Sequence, residues 1–145
     1  MLFLVITTTL YSQKNKYLIN AEFNIPDKSI NIQQSIKFYN NTGLALSNIL
    51  INDWANSYSN ANSPLGKRLS EEYSLNFQRS TKNQRGRTII NSIYSFDNKK
   101  LKYERLPLNI DIIKIRFNKT LNPGESINLN FNYKIIIPES DFTKY

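Results

Sequence analysis

The sequence predicts a mainly β protein, built as an antiparallel β-sandwich or saddle-like sheet with one short helix at about residues 64–79. Several segments alternate apolar and polar residues with the two-residue period of half-buried strands, whereas a single segment carries helical spacing. Strands with one dry and one wet face are typical of antiparallel sheets, because parallel sheets are buried on both faces. At 145 residues the chain has the length of one domain, which we place at 13–145.

Two neighbouring strands joined by a turn are predicted near the start of this domain. The segment YLINAEFNI has an apolar side made of Tyr17, Ile19, Ala21, Phe23 and Ile25. The segment INIQQSIKF has a similar side made of Ile30, Ile32, Ile36 and Phe38. Between them PDKS favours a turn, because Pro26 fixes φ and Asp27 can bond its own backbone. The two segments together predict a β-hairpin, which ends in the turn NNTG at 40–43. A third strand, LALSNILIN, is predicted at 44–52.

One amphipathic helix is predicted to begin at Pro64. Ser63 stands at the N-cap and Pro64 at the first helical position, where a missing amide hydrogen is tolerated. Apolar residues at i, i+4 spacing form one stripe, which comprises Leu65, Leu69, Tyr73 and Phe77. We expect this stripe to lie on the sheet. Gly66 lowers helix stability by up to about 1 kcal/mol relative to Ala, so we expect an irregular first turn.

The second half of the chain predicts three further strands. Alternation indicates strands in TIINSIYSF at 88–96 and in IDIIKIRF at 110–117, and the polar DNKKLKYERLP between them reads as a hairpin tip or loop. NPGE places Pro123 and Gly124 at the central positions of a type II turn. The clearest strand follows in SINLNFNYKIII, whose apolar face comprises Ile127, Leu129, Phe131, Tyr133, Ile135 and Ile137.

Composition excludes most enzymatic chemistry. The chain contains no His and no Cys, which removes Ser-His-Asp and Cys-His systems, imidazole acid-base catalysis and the usual zinc ligands. Glu71 and Glu72 are adjacent on the predicted helix and point about 100° apart, so they cannot share a substrate. Asp53 is expected to be a loop or capping carboxylate. We therefore predict no catalytic residues, no metal and no cofactor in this chain.

The charge balance leaves polyanion binding as a weaker alternative. The net charge is +8, and 19 Lys and Arg residues are spread along the chain with small clusters at 67–68, 82–87 and 99–105. A nucleic-acid binder usually concentrates such residues in one stripe with interleaved aromatic side chains. We therefore expect a solvated basic surface and no nucleic-acid partner.

The first dozen residues, MLFLVITTTLYS, are uncharged and mostly apolar. They are shorter than the roughly 20 residues that span a bilayer, so we predict no transmembrane segment. They resemble the apolar part of an export signal cleaved after Ser12, although a positive start is missing. We expect a partial signal peptide at 1–12 and an exported protein, periplasmic or associated with the cell envelope. The alternative is an apolar first strand in a cytoplasmic protein.

The stretch INDWANSYSNANSPLGKRL contains the only Trp of the chain. Trp54 among amides could be a platform for a sugar or a peptide. Its position between a strand and a helix favours a structural role instead, in which Trp54 and Tyr58 cover the edge of the sheet. Asn52 and Asn56 are then expected to bond the backbone of the turn.

Four segments form an ordered pattern. NDWANSYSNANSPLGKRLSEEYSLNFQRS, followed by RGRTIINSI, combines a strand end, a Trp-x-Asn-x-Tyr loop, a Pro-Leu-x-Lys-Arg helix and a Gly that opens the next strand. YLINAEFNIPDKSINIQQSIKFYNNTG precedes these elements, and LNPGESINLNFNYKIIIP follows them. From about Tyr17 to Pro138 the chain thus resembles the N-terminal β-domain of bacterial M1-family (gluzincin) zinc aminopeptidase-like proteins. The residues that mark the resemblance are Trp54, Asn56, Tyr58, Pro64, Gly86, Pro123 and Gly124.

The resemblance implies a non-catalytic domain that packs beside a thermolysin-like catalytic domain and helps to wall its substrate cleft. The family's His-Glu-x-x-His helix, its distant Glu and its Gly-x-Met-Glu-Asn strand do not occur in this sequence. Zinc is therefore expected only in a missing catalytic domain, and a peptide substrate is met only indirectly. We predict a fragment of an exported zinc metallo-aminopeptidase, truncated at Tyr145 directly after its best strand. The alternative is a free-standing β-sandwich interaction module that binds protein or carbohydrate.

Overall fold

The computed structural model describes residues 14–73 and 75–140, and the predicted export signal lies outside them. These residues form a mainly β fold of two antiparallel sheets, which confirms the predicted class. The strands in chain order are β1 (Lys16–Asn24), β2 (Ser29–Tyr39), β3 (Leu46–Asn52), β4 (Arg87–Ser95), β5 (Tyr103–Leu106), β6 (Asn109–Leu121) and β7 (Ser126–Ile136). A 3₁₀ helix (Trp54–Ser59), α1 (Pro64–Glu71) and α2 (Asn76–Arg79) connect β3 to β4.

The two sheets enclose one main core. The four-stranded sheet has the order β1-β2-β7-β4, and the three-stranded sheet has the order β3-β6-β5. Both sheets contribute to the cluster of buried residues Ile36, Ile93, Leu101, Ile113, Ile115, Leu129 and Phe131. A smaller cluster joins the two helices through Leu65, Leu69 and Phe77. The predicted apolar side of β7 thus lies in or against the core from Ile127 to Tyr133, whereas Ile137 follows the strand and is 40% exposed.

β1 and β2 form the predicted hairpin, but β1 is not half-buried. Tyr17 pairs with Ile36 of β2, so the odd-numbered side chains of β1 share the face that carries the core. Every β1 residue except Asn24 is nevertheless exposed. None of the described β1 residues belongs to the core cluster. The expectation of a dry apolar side on this strand is therefore wrong, because the three-stranded sheet does not cover it.

The predicted single helix at 64–79 is two short helices. Ser63 caps α1 as expected, since its Oγ accepts a hydrogen bond from Gly66 N–H at 3.0 Å. The break follows Glu71, and Tyr73 has a φ of 58° and is 92% exposed, so Tyr73 does not belong to the apolar stripe. None of the helices in the described ranges has the length and the apolar character that crossing a membrane requires.

Gly66 does not disturb the first turn of α1, contrary to expectation. A Cβ at this position would lie 2.0 Å from the carbonyl oxygen of Ala61. The absence of a side chain therefore lets the chain before α1 fold tightly against the helix.

One strand, β5, also differs from the predictions. The polar stretch 97–107 contains β5, which pairs with β6 and forms an edge of the three-stranded sheet. β7, after which the chain is expected to be truncated, lies between β2 and β4 and is paired on both sides. Among the described strands, β1 is paired on one side only and presents an edge that can add another strand.

Candidate functional site

The segment from Asp53 to Ser63, which we call the Trp54 segment, joins β3 to α1 at one end of the sandwich. Its first residue is attached to β6, because Asp53 N–H donates to the Asp111 carbonyl at 2.6 Å. The 3₁₀ helix within the segment contacts β4 of one sheet and β6 of the other. The segment therefore ties the two sheets together.

Asn56 makes this link with its side chain, which bonds the backbone of β4 and β6 and not, as expected, the backbone of its own turn. Its Nδ2 donates to the Ile110 carbonyl of β6 at 2.8 Å. Its Oδ1 accepts from Thr88 N–H of β4 at 3.2 Å. Asn56 is buried, so both bonds are shielded from water. This marker residue is structural.

Two serines continue the network toward α1. Ser57 Oγ donates to Asp111 Oδ2 at 3.1 Å, and Ser63 Oγ donates to the Ser57 carbonyl at 2.5 Å. Ser63 Oγ is also the acceptor that caps α1. The helix start and β6 are thereby connected through buried polar groups, which are costly to leave unpaired.

Asp53 is not a helix cap, because its side chain makes no capping hydrogen bond. Thr88 Oγ1 donates to Asp53 Oδ1 at 2.6 Å, and Arg105 Nη2 lies 2.7 Å from Asp53 Oδ2. Arg105 Nη1 donates to the Ile110 carbonyl at 2.8 Å. The carboxylate is thus engaged on both oxygens and holds β4 and β5 beside the Trp54 segment. Its contacts therefore lie within the fold.

A small cavity of about 70 Å³ lies between the sheets next to Asp53. Tyr133 and Gln34 line it, and the Tyr133 hydroxyl donates to Gln34 Oε1 at 2.9 Å. Burial raises the pKa of Tyr133, and the negative charge of Asp53 raises it further. The cavity is far smaller than the roughly 300 Å³ or more of ligand pockets, so it suits a few water molecules rather than a substrate.

Trp54 itself is 61% exposed, unlike the residues that fix its segment. The expectation that its indole covers the edge of the sheet is therefore wrong. Tyr58 does have a packing role, since its ring meets Phe77 edge to face with centroids 6.1 Å apart. The segment thus combines a buried, hydrogen-bonded base with an exposed indole. Such an arrangement presents a large apolar side chain at low entropic cost to whatever binds it.

The other marker residues lie at separate junctions. Pro64 opens α1. Gly86 is buried directly before β4, where an added Cβ would lie 2.7 Å from Pro138 Cδ. Gly124 has a φ of 79°, and Glu125 N–H donates to the Asn122 carbonyl at 3.1 Å, which confirms the turn expected at Pro123 and Gly124. These residues shape the fold and do not converge on one site.

The remaining charged groups form scattered pairs. Arg68 and Glu72 of the α1 region lie 3.0 Å apart, and Lys99 lies 2.7 Å from Asp97. The cluster at 99–105 also supplies Arg105 to the buried pair with Asp53. Among residues 14–73 and 75–140, no group of three acidic side chains is placed to hold a metal ion.

Sequence reasoning missed one polar surface, the outer face of the four-stranded sheet. Strand register aligns Asn20, Gln33 and Asn132 in one row across β1, β2 and β7. Neighbouring groups bond one another, with Asn91 Nδ2 donating to Asn132 Oδ1 at 2.8 Å. Alternation predicts these positions as polar, but only the strand order shows that they are adjacent.

Comparison with known proteins adds no relative. No model of a known protein family matches the chain, and a search of curated proteins finds no match. The assignment of function therefore depends on the residues and the geometry described above.

Proposed function

We propose that the chain is a non-catalytic N-terminal β-domain of an exported, gluzincin-like zinc aminopeptidase, in which it packs beside the catalytic domain and walls the substrate cleft. The observation that carries the proposal is the exposed Trp54 on a segment fixed to both sheets. Aromatic side chains that are held rigidly at a surface are common anchors of protein interfaces. In this proposal Trp54 contacts the catalytic domain, and zinc and the peptide substrate belong to that domain.

The arrangement of the motifs supports the same proposal. The strand, Trp loop, helix and Gly-initiated strand of the resemblance correspond to β3, the Trp54 segment, α1 and β4 in that order. Asn56 and Gly86 occupy close-packed positions between them. The resemblance thus falls on residues that determine the local fold.

The decisive test is to sequence the DNA that follows the codon for Tyr145. The proposal expects a His-Glu-x-x-His sequence with a more distant Glu within a few hundred codons, in frame or after one disruption. An intact neighbouring gene of an unrelated type would contradict it. At the protein level, the purified chain should contain no zinc by elemental analysis and should not hydrolyse aminoacyl arylamides. Hydrolysis that a chelator abolishes would contradict the non-catalytic assignment.

A free-standing interaction module is the second candidate, because the same exposed Trp54 offers an aromatic platform that suits a sugar or a peptide. The two candidates differ in what Trp54→Ala should change. In a domain of a larger enzyme, the variant should weaken association with the catalytic domain. In a free-standing module, it should abolish retention on a glycan or peptide array while the wild-type chain binds without any second domain.

A further inference from the structure

Within residues 14–73 and 75–140, no strand pairs with the outer side of β1, which leaves a long edge of the four-stranded sheet open. β1 has nine residues and pairs with β2 without a register shift. The other edges are protected in ways that proteins commonly use against strand addition. β3 and β4 carry register shifts in their pairing, and β5 has only four residues. β1 is therefore the edge best able to accept another strand.

The free backbone groups of β1 can be assigned from the neighbouring strands. Asn40 exchanges hydrogen bonds with the β6–β7 turn, whereas Tyr39 N–H points the other way and meets the side chain of Asn15. Backbone groups alternate in direction along an antiparallel strand, so odd-numbered β2 residues face β1. In the observed register these pair with even-numbered β1 residues, beginning with Lys16 and Lys37. The outward N–H and C=O groups of β1 therefore belong to Tyr17, Ile19, Ala21 and Phe23.

We propose that two copies of this chain associate by antiparallel pairing of their β1 strands about a two-fold axis at Ile19. The proposal goes beyond the domain role above and uses a different surface from Trp54. In this register Ile19 faces Ile19 of the second copy, and Tyr17 faces Ala21 of the second copy. Each of these residues exchanges its free N–H and C=O with its counterpart, as paired strands do.

Charge complementarity selects the second copy as the occupant and selects this register. The pairing places Lys16 opposite Glu22 of the second copy, and symmetry repeats the pair. A two-residue slip that centres the axis on Asn20 places Glu22 opposite Leu18. The opposite slip, centred on Leu18, moves the partner of Glu22 to Lys14, which precedes the strand. Only the Ile19 register pairs both charges of β1 within the strand.

The same register joins the exposed apolar residues of the two copies. Tyr17, Ile19 and Phe23 are all more than half exposed on the inner face. Tyr17 lies diagonally next to Phe23 of the second copy, a spacing that aromatic side chains can bridge across strands. The two four-stranded sheets become one continuous sheet of eight strands, and the apolar stripe of each copy flanks that of the other.

The test measures the mass of the full chain in solution by sedimentation equilibrium and light scattering at micromolar to tens of micromolar concentration. The expected result is a reversible species of twice the 16.9 kDa chain mass. K16E and E22K should each weaken the dimer by roughly tenfold, because two cross-strand ion pairs become two like-charge pairs. The double variant K16E/E22K should restore the wild-type dissociation constant, since it exchanges the charges without changing the register.

A matched control separates this edge from a general effect of surface apolar residues. Ile19→Lys should abolish the dimer because it places two like charges at the axis. Leu50→Lys should leave the dimer intact, although Leu50 is 56% exposed against 54% for Ile19 and also lies on an edge strand. Circular dichroism should show an unchanged β spectrum for both variants.

Three results would overturn the proposal: a monomer at all concentrations, a dimer insensitive to Ile19→Lys, and single charge variants that the double variant does not rescue. None of these results bears on whether a zinc-binding sequence follows the codon for Tyr145, so the two proposals fail independently.

Discussion

The two outer strands of the four-stranded sheet have similar alternation and opposite surroundings. β4 is covered by the Trp54 segment at Thr88 and by the returning chain at its other end, where Leu101 N–H donates to the Ile93 carbonyl at 2.9 Å. Its pairing with β7 is also interrupted between Ile90 and Ser92. The pairing of β1 is uninterrupted, and no segment of the described part of the chain covers β1. An apolar alternation thus shows which residues share a face, while the connections decide whether that face is buried.

The largest expected contrast comes from truncating one Ile on each edge. Ile93 of β4 is 1% exposed, so Ile93→Ala should lower the free energy of unfolding by about 2–5 kcal/mol. Ile19→Ala on β1 should cost less than about 1 kcal/mol, because its side chain is already in water. Urea unfolding of both variants at the same dilute concentration checks the difference. Equal losses would show that β1 is covered within the monomer.

The second contrast removes the cover from β4. Asn56→Ala leaves the buried Thr88 N–H without its observed partner and removes one of the two donors to the Ile110 carbonyl, which keeps Arg105, so the change should cost about 2 kcal/mol. Asn52→Ala is the matched control, since Asn52 is exposed at the end of β3 and the change should be nearly neutral. Thermal unfolding measures both variants. Similar melting temperatures for the two would contradict the bridging role of Asn56.

A smaller effect is expected at Trp54, although Trp is the largest side chain. Because the indole is 61% exposed, Trp54→Ala should destabilise the monomer by less than about 1 kcal/mol. Tyr58→Ala should cost more, since that ring packs on Phe77. Guanidinium unfolding curves compare the two. A loss of several kcal/mol at Trp54 would restore the structural role that the sequence favoured.

The smallest expected effect on stability comes from the ion pair of Asp97 and Lys99 in the turn that follows β4. The hydrogen bond from Lys99, and then that from Ser95, lowers the pKa of Asp97 from 3.8 to about 2. The stabilisation that the ionised Asp97 contributes to the folded state is therefore complete above about pH 4 and is lost as the pH falls through 2. Asp97 also raises the pKa of Lys99 above 10.5, so the contribution of Lys99 is present below that pH and is lost at higher pH.

The check on this turn is the difference in Tm between the wild type and Asp97→Asn. It should be small at pH 7, because both groups are at the surface, and it should shrink as the pH falls from about 4 through 2. A difference that persists unchanged at pH 2 would exclude the ion pair as its source.

The sequence predicted the elements whose own residues carry the signal. β7 shows full alternation, and Ser63-Pro64 marks the start of α1 by local capping chemistry. β5 was missed because Tyr103–Leu106 is only four residues long and does not alternate apolar with polar side chains, so that pairing with β6 makes it a strand. The helix break was missed because the i, i+4 spacing of Tyr73 gives no indication of its positive φ.

The candidate site was less predictable than the fold. The sequence singled out Asn56 as a marker residue and as an amide of the turn, but its burial between the sheets could not be inferred, because that burial depends on β4 and β6 arriving from distant parts of the chain. Likewise, Asp53 and Arg105 are brought together only by the sandwich. The exposure of Trp54 could not be inferred, since a Trp at a strand end is compatible with either environment.

The central position of β7 has a consequence for synthesis. β2 is paired early with β1, but its second neighbour is the last strand, and the Tyr133–Gln34 hydrogen bond spans 99 residues. Closing such long loops is slow, because chain entropy is lost before the distant contacts form. A nascent chain therefore carries its first hairpin with both edges open until nearly all of the described residues have left the ribosome. During that interval the unpaired edges of β1 and β2 are prone to aggregation, and a chaperone that shields these two strands would have its largest effect.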